Sequence, residues 1–367
     1  MGKTILFIYL ALFPFGQLLR ISIFNASDVI AIVALIFLGL VKKEGLKPLE
    51  PFKDLFIIAV FSLLYSVFNF KSLSVLTGLL YFLRVTSYFY LYKLSFNVIK
   101  ENPKFKKVLF NSLILISFAV AIFGWVQYFL YPDLTSLKYL GWDDHLYRLV
   151  GTFLDPGFTS LIIVFGGVIS FIKKKYLLLA FFAVTLAFTY SRAGYLAFAA
   201  SLFLASLIFK KFKTFLISLA CFLVVVFLLP KPAGEGVNLA RTYSISSRIN
   251  NYKETFEVFK KSPVFGVGFN NICLARKIYL KDVDLGSHSC SGSDSSLLLI
   301  LATTGIVGFM IFVSSVVKIL FNFKRGFYVK TFLVILSALF VHSFFVNSLF
   351  YPWIMGYLAI SASLVEE

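Results

Sequence analysis

Charged residues are scarce in this chain, and acidic residues are the scarcest. Of 367 residues, 14% are charged, with 17 Asp and Glu against 35 Lys and Arg, whereas 59% are hydrophobic and 19% aromatic. This composition excludes an ordinary soluble domain. The sequence also shows no Gly-rich nucleotide loop, no cluster of Cys and His with metal-ligand spacing and no Ser-His-Asp pattern. It therefore implies no nucleotide or metal cofactor.

Apolar runs recur along almost the whole chain and predict an all-α integral membrane protein with one polytopic domain over residues 1–367. The first run is interpreted as an uncleaved span because Arg20 and Asn25 follow it, and no small-residue cleavage site does. Apolar length predicts twelve spans, near 4–24, 28–42, 54–69, 73–95, 108–131, 158–172, 176–190, 194–209, 214–230, 295–321, 328–347 and 351–364.

Lysines mark every second loop between these spans. The basic groups are Lys42, Lys43, Lys47 and Lys53; Lys100, Lys104, Lys106 and Lys107; Lys173 to Lys175; Lys210, Lys211 and Lys213; and Lys324 with Arg325. Because basic loops stay in the cytoplasm, both termini are predicted to be cytoplasmic. Only two outward loops have any size, 132–157 and 231–294, and the second is the large outer loop between the ninth and tenth spans.

One arginine lies inside a long uncharged run. Arg192, in "YSRAGYLAF", is the only charged residue between Lys175 and Lys210. Both flanking lysine groups belong on the cytoplasmic side, so the run is predicted to be a hairpin. Each arm of about 15 residues would rise only ~22 Å against a hydrocarbon core of ~30 Å, which leaves the tip recessed. An arginine at membrane depth indicates a functional site, unless it snorkels to head groups.

Arg148 and Arg84 are two further candidates. Arg148 lies in "YRLVGTFLDPGFTS", before a turn signalled by Asp155 and Pro156, although it could equally be a solvated loop charge. Arg84 lies near the middle of the fourth span, where an arginine usually faces the bundle interior and holds a partner or a substrate anion. Its alternative is an internal ion pair, although acidic residues within the spans are almost absent.

Arg248 begins a predicted outer helix that Pro263 ends. One face of this helix carries apolar residues, namely Ile249, Tyr252, Phe256 and Phe259. An amphipathic helix resting on the bilayer is the alternative interpretation of this segment. Taken together, the outward arginines predict a site for an anion held at the membrane surface, because the arginine fork donates paired hydrogen bonds to phosphate oxygens. A lipid phosphate or pyrophosphate fits this description.

Four stretches resemble a known family in content and order. They are "RLVGTFLDP" from Arg148, "SRAG" from Ser191, "PVFGVG" from Pro263, and Asp294 and Ser295 followed after nine residues by Gly305 and Gly308. The chain resembles the O-antigen ligase and O-antigen polymerase superfamily. The resemblance implies a GT-C-like membrane glycosyltransferase of polysaccharide or lipopolysaccharide biosynthesis in the bacterial inner membrane. It would pass a glycan from undecaprenyl pyrophosphate to an acceptor sugar hydroxyl on the periplasmic face, without a metal or nucleotide sugar.

The candidate arginines fit this chemistry, in which negative charge grows on the leaving pyrophosphate. Arg192 and Arg248 would bind the pyrophosphate, with Arg148 and Arg84 as further candidates. Ligases of this kind carry a His where this chain has Asp294, so the acceptor's general base is expected to be Asp294 or His288, six residues earlier. The alternatives are a helix N-cap for Asp294 and an exposed loop residue for His288. Ligase and polymerase both remain open, as do the glycan and the acceptor.

Three other expectations complete the sequence analysis. His342, in the eleventh predicted span, is interpreted as a buried, hydrogen-bonded residue. Cys273 and Cys290 fall in the large outer loop and are predicted to form a disulfide if the loop faces an oxidising periplasm, with two free thiols as the alternative. A transporter or flippase of lipid-linked saccharides is the main alternative function, but the inverted repeats of such proteins are not found in the sequence. A membrane scaffold would not need arginines at membrane depth.

Overall fold

The computed structural model describes residues 1–21, 24–41, 47–70, 75–230, 232, 234–280, 292–323 and 325–365. Within these ranges the chain forms fourteen α-helices: α1 Gly2–Leu12, α2 Ala26–Ile36, α3 Lys53–Phe70, α4 Leu76–Glu101, α5 Phe105–Leu130, α6 Pro156–Ile172, α7 Tyr176–Ala187, α8 Arg192–Ile208, α9 Phe212–Phe227, α10 Tyr243–Lys261, α11 Ile272–Tyr279, α12 Ser296–Phe321, α13 Phe327–His342 and α14 Pro352–Ser363. Two short antiparallel strands, β1 Arg20–Ile21 and β2 Phe24–Asn25, join the first two helices.

Each predicted span contains one of these helices, which confirms the all-helical membrane character. The described helical segments long and apolar enough to cross a bilayer are Gly2–Leu19, Leu49–Phe70, Phe105–Leu130 and Ser296–Phe321. Six shorter apolar helices, of 10 to 17 residues, accompany them. The number of crossings, the side on which each loop lies and the division into one domain with a large outer loop remain predictions.

Helix α6 lies at the centre of the fold. It carries no charged residue and is buried along nearly all of its length, as expected of a helix that is apolar on every side. Two consecutive glycines, Gly166 and Gly167, bring the backbone close to the rings of Phe182 on α7 and Phe198 on α8. Small residues at such positions allow helices in a membrane to pack closely. The hairpin of α7 and α8 is thereby fixed against the core.

The first apolar run does not form one continuous helix. Helix α1 ends at Leu12, and a 3-10 segment, Phe13–Leu19, follows it. Pro14 lacks the amide hydrogen that a continuing helix needs, and Gly16 has a φ of 56°, outside the helical region. The helix is therefore shorter than the predicted span 4–24.

Helix α12 is interrupted at Gly305, whose φ is 69°. The segment 263–268, which carries the "PVFGVG" motif, lies against the interruption. Val267 and Gly268 donate backbone hydrogen bonds to the carbonyl oxygens of Ala302 and Thr303, at 3.0 and 2.9 Å. A side chain at Gly305 would collide with the backbone of Val264. Two stretches recognised separately in the sequence therefore form one packed unit, and this unit fixes the N-terminal half of α12, which follows Asp294.

Candidate functional site

The turn between α7 and α8 places Arg192 at the first position of α8. Helix α7 has 12 residues and α8 has 17, and the lysines at 175 and 210 lie at the opposite end of both helices. The Ser191 hydroxyl accepts a hydrogen bond from the Gly194 amide at 3.3 Å and so caps α8. Another bond, from the Ser160 hydroxyl to that of Ser191 at 3.1 Å, ties the tip to α6. The predicted helical hairpin is confirmed, while the depth of its tip in the bilayer remains a prediction.

Arg192 joins this tip to the loop that precedes α10. Its Nη1 donates to the backbone oxygens of Leu239 and Arg241, at 3.2 and 3.0 Å. Its Nη2 donates to the Ser244 hydroxyl at 2.7 Å. All three acceptors are neutral, so the guanidinium is held in place while its charge stays uncompensated.

Arg148 and Arg241 approach the same turn from other segments. Buried Arg148 donates from Nε to the Thr189 oxygen at 3.1 Å and from Nη2 to the Tyr190 oxygen at 3.3 Å. Arg241 also donates to the Tyr190 oxygen, at 3.3 Å, and to the Gly236 oxygen at 2.8 Å. Sequence reasoning missed Arg241, since nothing in its local pattern separates it from a solvated loop charge.

The guanidinium groups of Arg148, Arg192, Arg241 and Arg248, here called the arginine cluster, influence one another electrostatically. Burial, together with the charges of Arg241 and Arg248, lowers the pKa of Arg148 to about 9, against an opposing effect of Asp155. Burial and the charges of Arg192 and Arg248 lower the pKa of Arg241 to about 10. Within the described ranges, none of the four forms an ion pair with a carboxylate. The cluster therefore carries positive charge that no carboxylate among the described residues neutralises by an ion pair.

The structure gives Arg84 a different partner. Its Nη2 lies 3.0 Å from Oδ2 of buried Asp28, and the Tyr88 hydroxyl donates to Oδ1 of the same carboxylate at 3.0 Å. The guanidinium also lies over the rings of Phe24 and Tyr81. This is the internal ion pair that the sequence left as the alternative, so pyrophosphate binding by Arg84 stays a prediction without support from these contacts.

Asp294 lies two residues before α12 and close to α10. Ser295 is the N-cap of α12, accepting from the Leu298 amide at 3.4 Å, so Asp294 is not the cap. The Asp294 amide donates to Oδ1 of Asn251 at 2.9 Å. Burial raises the pKa of Tyr252, which the Arg248 charge lowers and the Asp294 charge raises further. The Tyr252 phenol is therefore close enough to both Arg248 and Asp294 for their charges to change its pKa.

The predictions for His288 and His342 differ in what the structure can test. His288 lies outside the described residues, so its role remains a prediction. His342 is fully buried at the end of α13, with Nδ1 2.6 Å from the Ser348 hydroxyl oxygen. The interpretation of His342 as a buried, hydrogen-bonded residue is confirmed.

The cysteines also differ among themselves. Cys221 is free and exposed, whereas Cys273, in α11, is disulfide-bonded. Cys290 lies outside the described residues, so its pairing with Cys273 stays a prediction.

An apolar cavity of about 290 Å³ lies between α3, α4, α12, α13 and α14. It extends from Phe269, Ile300 and Phe350 at the end of α12 that follows Asp294 to Phe52 and Leu320 near the other end of that helix. Its lining is almost entirely aliphatic and aromatic. Such a cavity suits part of a hydrocarbon chain that lies parallel to α12.

Part of the chain matches a model of a known protein family. Residues 177–313 match the family model described as O-antigen ligase, and this confirms the resemblance to the O-antigen ligase and polymerase superfamily. The matched segment, less than half of the chain, includes Arg192, Arg241, Arg248 and Asp294, whereas Arg84 and Arg148 precede it. No curated protein matches the chain. The match supports a membrane enzyme of O-antigen ligase type that transfers glycosyl groups.

Proposed function

We propose that the chain transfers a glycan from undecaprenyl pyrophosphate to an acceptor sugar hydroxyl, as a ligase or polymerase without a metal or cofactor. The observation that carries the proposal is the arginine cluster, which lacks a carboxylate partner among the described residues and lies on the α10 side of the hairpin tip. The family match across this segment supports it. The enzyme would lie in the bacterial inner membrane with both termini in the cytoplasm and its site facing the periplasm.

The arginine cluster would stabilise the leaving group. As the bond between the anomeric carbon and the pyrophosphate oxygen breaks, its electron pair stays with the pyrophosphate, whose negative charge grows. Cations that interact most strongly at that stage lower the barrier. Arg192 is held rigidly by three neutral acceptors, and half-buried Arg248 is near enough to lower the pKa of Arg148 and Arg241. Arg148 and Arg241, which bond to the backbone of the turn between α7 and α8, would add positive electrostatic potential at the site.

Asp294 would act as the general base. Its carboxylate takes the proton from the acceptor hydroxyl while the hydroxyl oxygen forms the new bond to the anomeric carbon. The Arg248 and Asn251 side chains are three residues apart on α10, and Asn251 bonds the Asp294 amide, so the base lies within reach of the leaving-group site. His288 remains the other candidate base.

The lipid part of the donor, or of a lipid-linked acceptor, would occupy the apolar cavity. The end of the cavity at Ile300 and Phe350 lies on the side of α12 that leads to Asp294. A chain in the cavity would therefore anchor its head group near the reacting atoms. A flippase of lipid-linked saccharides would use the same cavity but would release no free polyprenyl pyrophosphate.

The decisive experiment supplies the purified protein with an undecaprenyl pyrophosphate-linked oligosaccharide and an acceptor glycan, and measures released undecaprenyl pyrophosphate. We expect release with the wild type, a loss of about 100-fold to 1000-fold in Arg192→Ala, and poor rescue in Arg192→Lys, because lysine keeps the charge but loses the fork. Movement of intact lipid-linked saccharide across a vesicle without release would support the flippase instead. Full activity in folded Arg192→Ala would contradict pyrophosphate binding by this residue.

A further inference from the structure

Two of the three buried residues of α10 are polar, which the proposed function does not yet explain. Asn251 is 7% exposed and Thr255 is fully buried, with Val258 one turn further on. The apolar residues Ile249 and Phe256 are instead 45% and 46% exposed. Only part of the apolar face read from the sequence therefore packs against the protein: Phe259 contacts the core and Tyr252 donates to the Phe344 oxygen, whereas Ile249 and Phe256 stay exposed. Buried polar groups persist where they are hydrogen-bonded, so their partners indicate what this face does.

Asn251 bonds to both residues that lead into α12. Its side-chain oxygen accepts from the Asp294 amide at 2.9 Å and from the Ser293 hydroxyl at 3.4 Å. Its backbone oxygen accepts from Nη2 of Arg276 at 3.4 Å. One residue thus links α10, α11 and the backbone of Asp294.

Arg276, on α11, holds the same segment from the other side. The side chain is fully buried, Nη1 donates to the Gly292 oxygen at 3.1 Å, and Nη2 donates to the Thr255 hydroxyl at 2.8 Å. Its charge is only weakly compensated, since Nε lies 3.8 Å from a Glu254 carboxylate oxygen. Burial lowers the pKa of Arg276, and Glu254 and Asp294 oppose this effect. A cation this costly to bury is retained here beside two backbone carbonyls and a hydroxyl.

We infer that Asn251 and Arg276 are positioning residues that fix the backbone of Asp294 relative to Arg248. The inference rests on the proposed function, in which Asp294 is the base. Arg248 and Asn251 are three residues apart, so their side chains project from the same side of α10, about 4.5 Å apart along its axis. The helix thus sets the spacing between the group that takes the proton and a group that binds the leaving pyrophosphate. Such spacing strongly affects rate, since a displacement of about 1 Å can cost about 100-fold.

The test compares two neighbouring asparagines on α10. Asn251→Ala removes the acceptor of the Asp294 amide, whereas Asn250→Ala changes an exposed residue of the same type. In the transfer assay we expect kcat to fall about 10-fold to 100-fold in Asn251→Ala with KM for the donor unchanged, because the arginine cluster is intact. Asn250→Ala should match the wild type. Thermal unfolding of each variant reports whether it is folded.

A charge variant gives a readout that a purely structural role would not move. Asn251→Asp keeps an acceptor oxygen but places a second carboxylate beside Asp294, which disfavours ionisation of the base. The acidic limb of the kcat against pH profile should move up by about one pH unit. Arg276→Lys keeps the charge but loses the fork, and should lower kcat without moving this limb.

The outcomes separate the inference from the proposed function. If Asp294→Asn is inactive but folded Asn251→Ala and Arg276→Lys keep the wild-type kcat and Asn251→Asp does not move the acidic limb, the positioning role is wrong and the base assignment stands. If Asp294→Asn keeps the wild-type rate, the base assignment itself fails. If Asn251→Ala does not fold, Asn251→Asp and Arg276→Lys decide.

Discussion

Buried Arg84 and the arginine cluster have opposite electrostatic surroundings. Arg84 lies beside buried Asp28, at 3.0 Å, and the same carboxylate accepts a hydrogen bond from Tyr88. In the arginine cluster, Arg148, Arg192 and Arg241 instead donate to backbone oxygens and one hydroxyl. The ion pair of Arg84 and Asp28 is neutral as a unit, whereas the cations of the cluster repel one another.

This difference separates the structural role of Arg84 from the role proposed for the arginine cluster. A buried ion pair with a hydrogen-bonded carboxylate has no remaining demand for an anion, and removing one partner leaves the other charge stranded. A cluster of cations held by neutral carbonyls keeps its attraction for an external anion. Burial and mutual repulsion also lower the pKa of Arg148 and Arg241, so we expect the cluster to cost folding free energy in the absence of an anion.

The largest effect is expected from breaking the ion pair. Arg84→Ala leaves Asp28 charged and buried, so the free energy of unfolding should fall by about 3–5 kcal/mol. Replacing both partners, as Asp28→Leu with Arg84→Met, should recover most of this loss because no charge is stranded. Unfolding in detergent, followed by helical circular dichroism, measures both. A folded Arg84→Ala variant of wild-type stability that no longer binds pyrophosphate would instead place Arg84 in the functional group.

The next largest effect is expected on activity, within the cluster. Arg248→Ala should lower transfer about 100-fold to 1000-fold with little loss of stability, because it removes a cation that is proposed to act on the leaving group. Lys253→Ala is the matched control, since Lys253 is an exposed cation on the same helix. Equal activity in the two variants would mean that α10 contributes only general positive charge.

A smaller effect is expected when an anion is added to the folded protein. Inorganic pyrophosphate should raise Tm. At a concentration of 100 Kd, the free energy of unfolding should increase by about 2.7 kcal/mol. The shift should be larger at pH 7.5 than at pH 10, because Arg148, with a pKa lowered to about 9, loses its proton between these values.

Without an anion, the contribution of Arg148 to stability changes with pH in the opposite direction. Between about pH 9 and the ordinary arginine value of 12.5, the unfolded chain binds more protons at Arg148 than the folded chain, so stability from this group rises with pH. Arg148→Gln is the control. Pyrophosphate itself titrates in this range, and subtracting the Tm shifts of the variant from those of the wild type removes that contribution. An identical pH dependence in the variant would show that Arg148 does not titrate in this range.

The sequence predicts those features that depend on local patterns. Apolar length identifies the helices. Lysines at both ends of one uncharged run identify the hairpin and place Arg192 at its tip. The motif spacing places Asp294 close to the start of α12. Each of these signals lies within one short stretch, so no knowledge of tertiary contacts is needed.

Contacts between distant segments could not be predicted. Asp28 begins the second predicted span, and no local signal pairs it with Arg84 in the fourth. Arg241 resembles a solvated loop residue until the Tyr190 oxygen is seen beside it. Asn251 and Thr255 of α10 are buried because they bond to the Asp294 segment and to Arg276, whereas periodicity alone favours burial of Ile249 and Phe256, which are exposed.

The smallest effect is expected from a third kind of charge pair, an exposed one. Lys318 Nζ lies 3.5 Å from Asp54 Oδ2, with side chains 69% and 48% exposed. Water screens such a pair and ordering the lysine costs entropy, so Lys318→Ala should change the free energy of unfolding by less than about 1 kcal/mol. Activity should be unchanged because the pair joins the ends of α3 and α12 far from Asp294. Measured beside Arg84→Ala in the same detergent, this variant shows whether the large loss comes from burial of the charge. Equal losses in the two variants would mean that any charge pair stabilises this fold alike, and the contrast drawn between Arg84 and the arginine cluster would then fail.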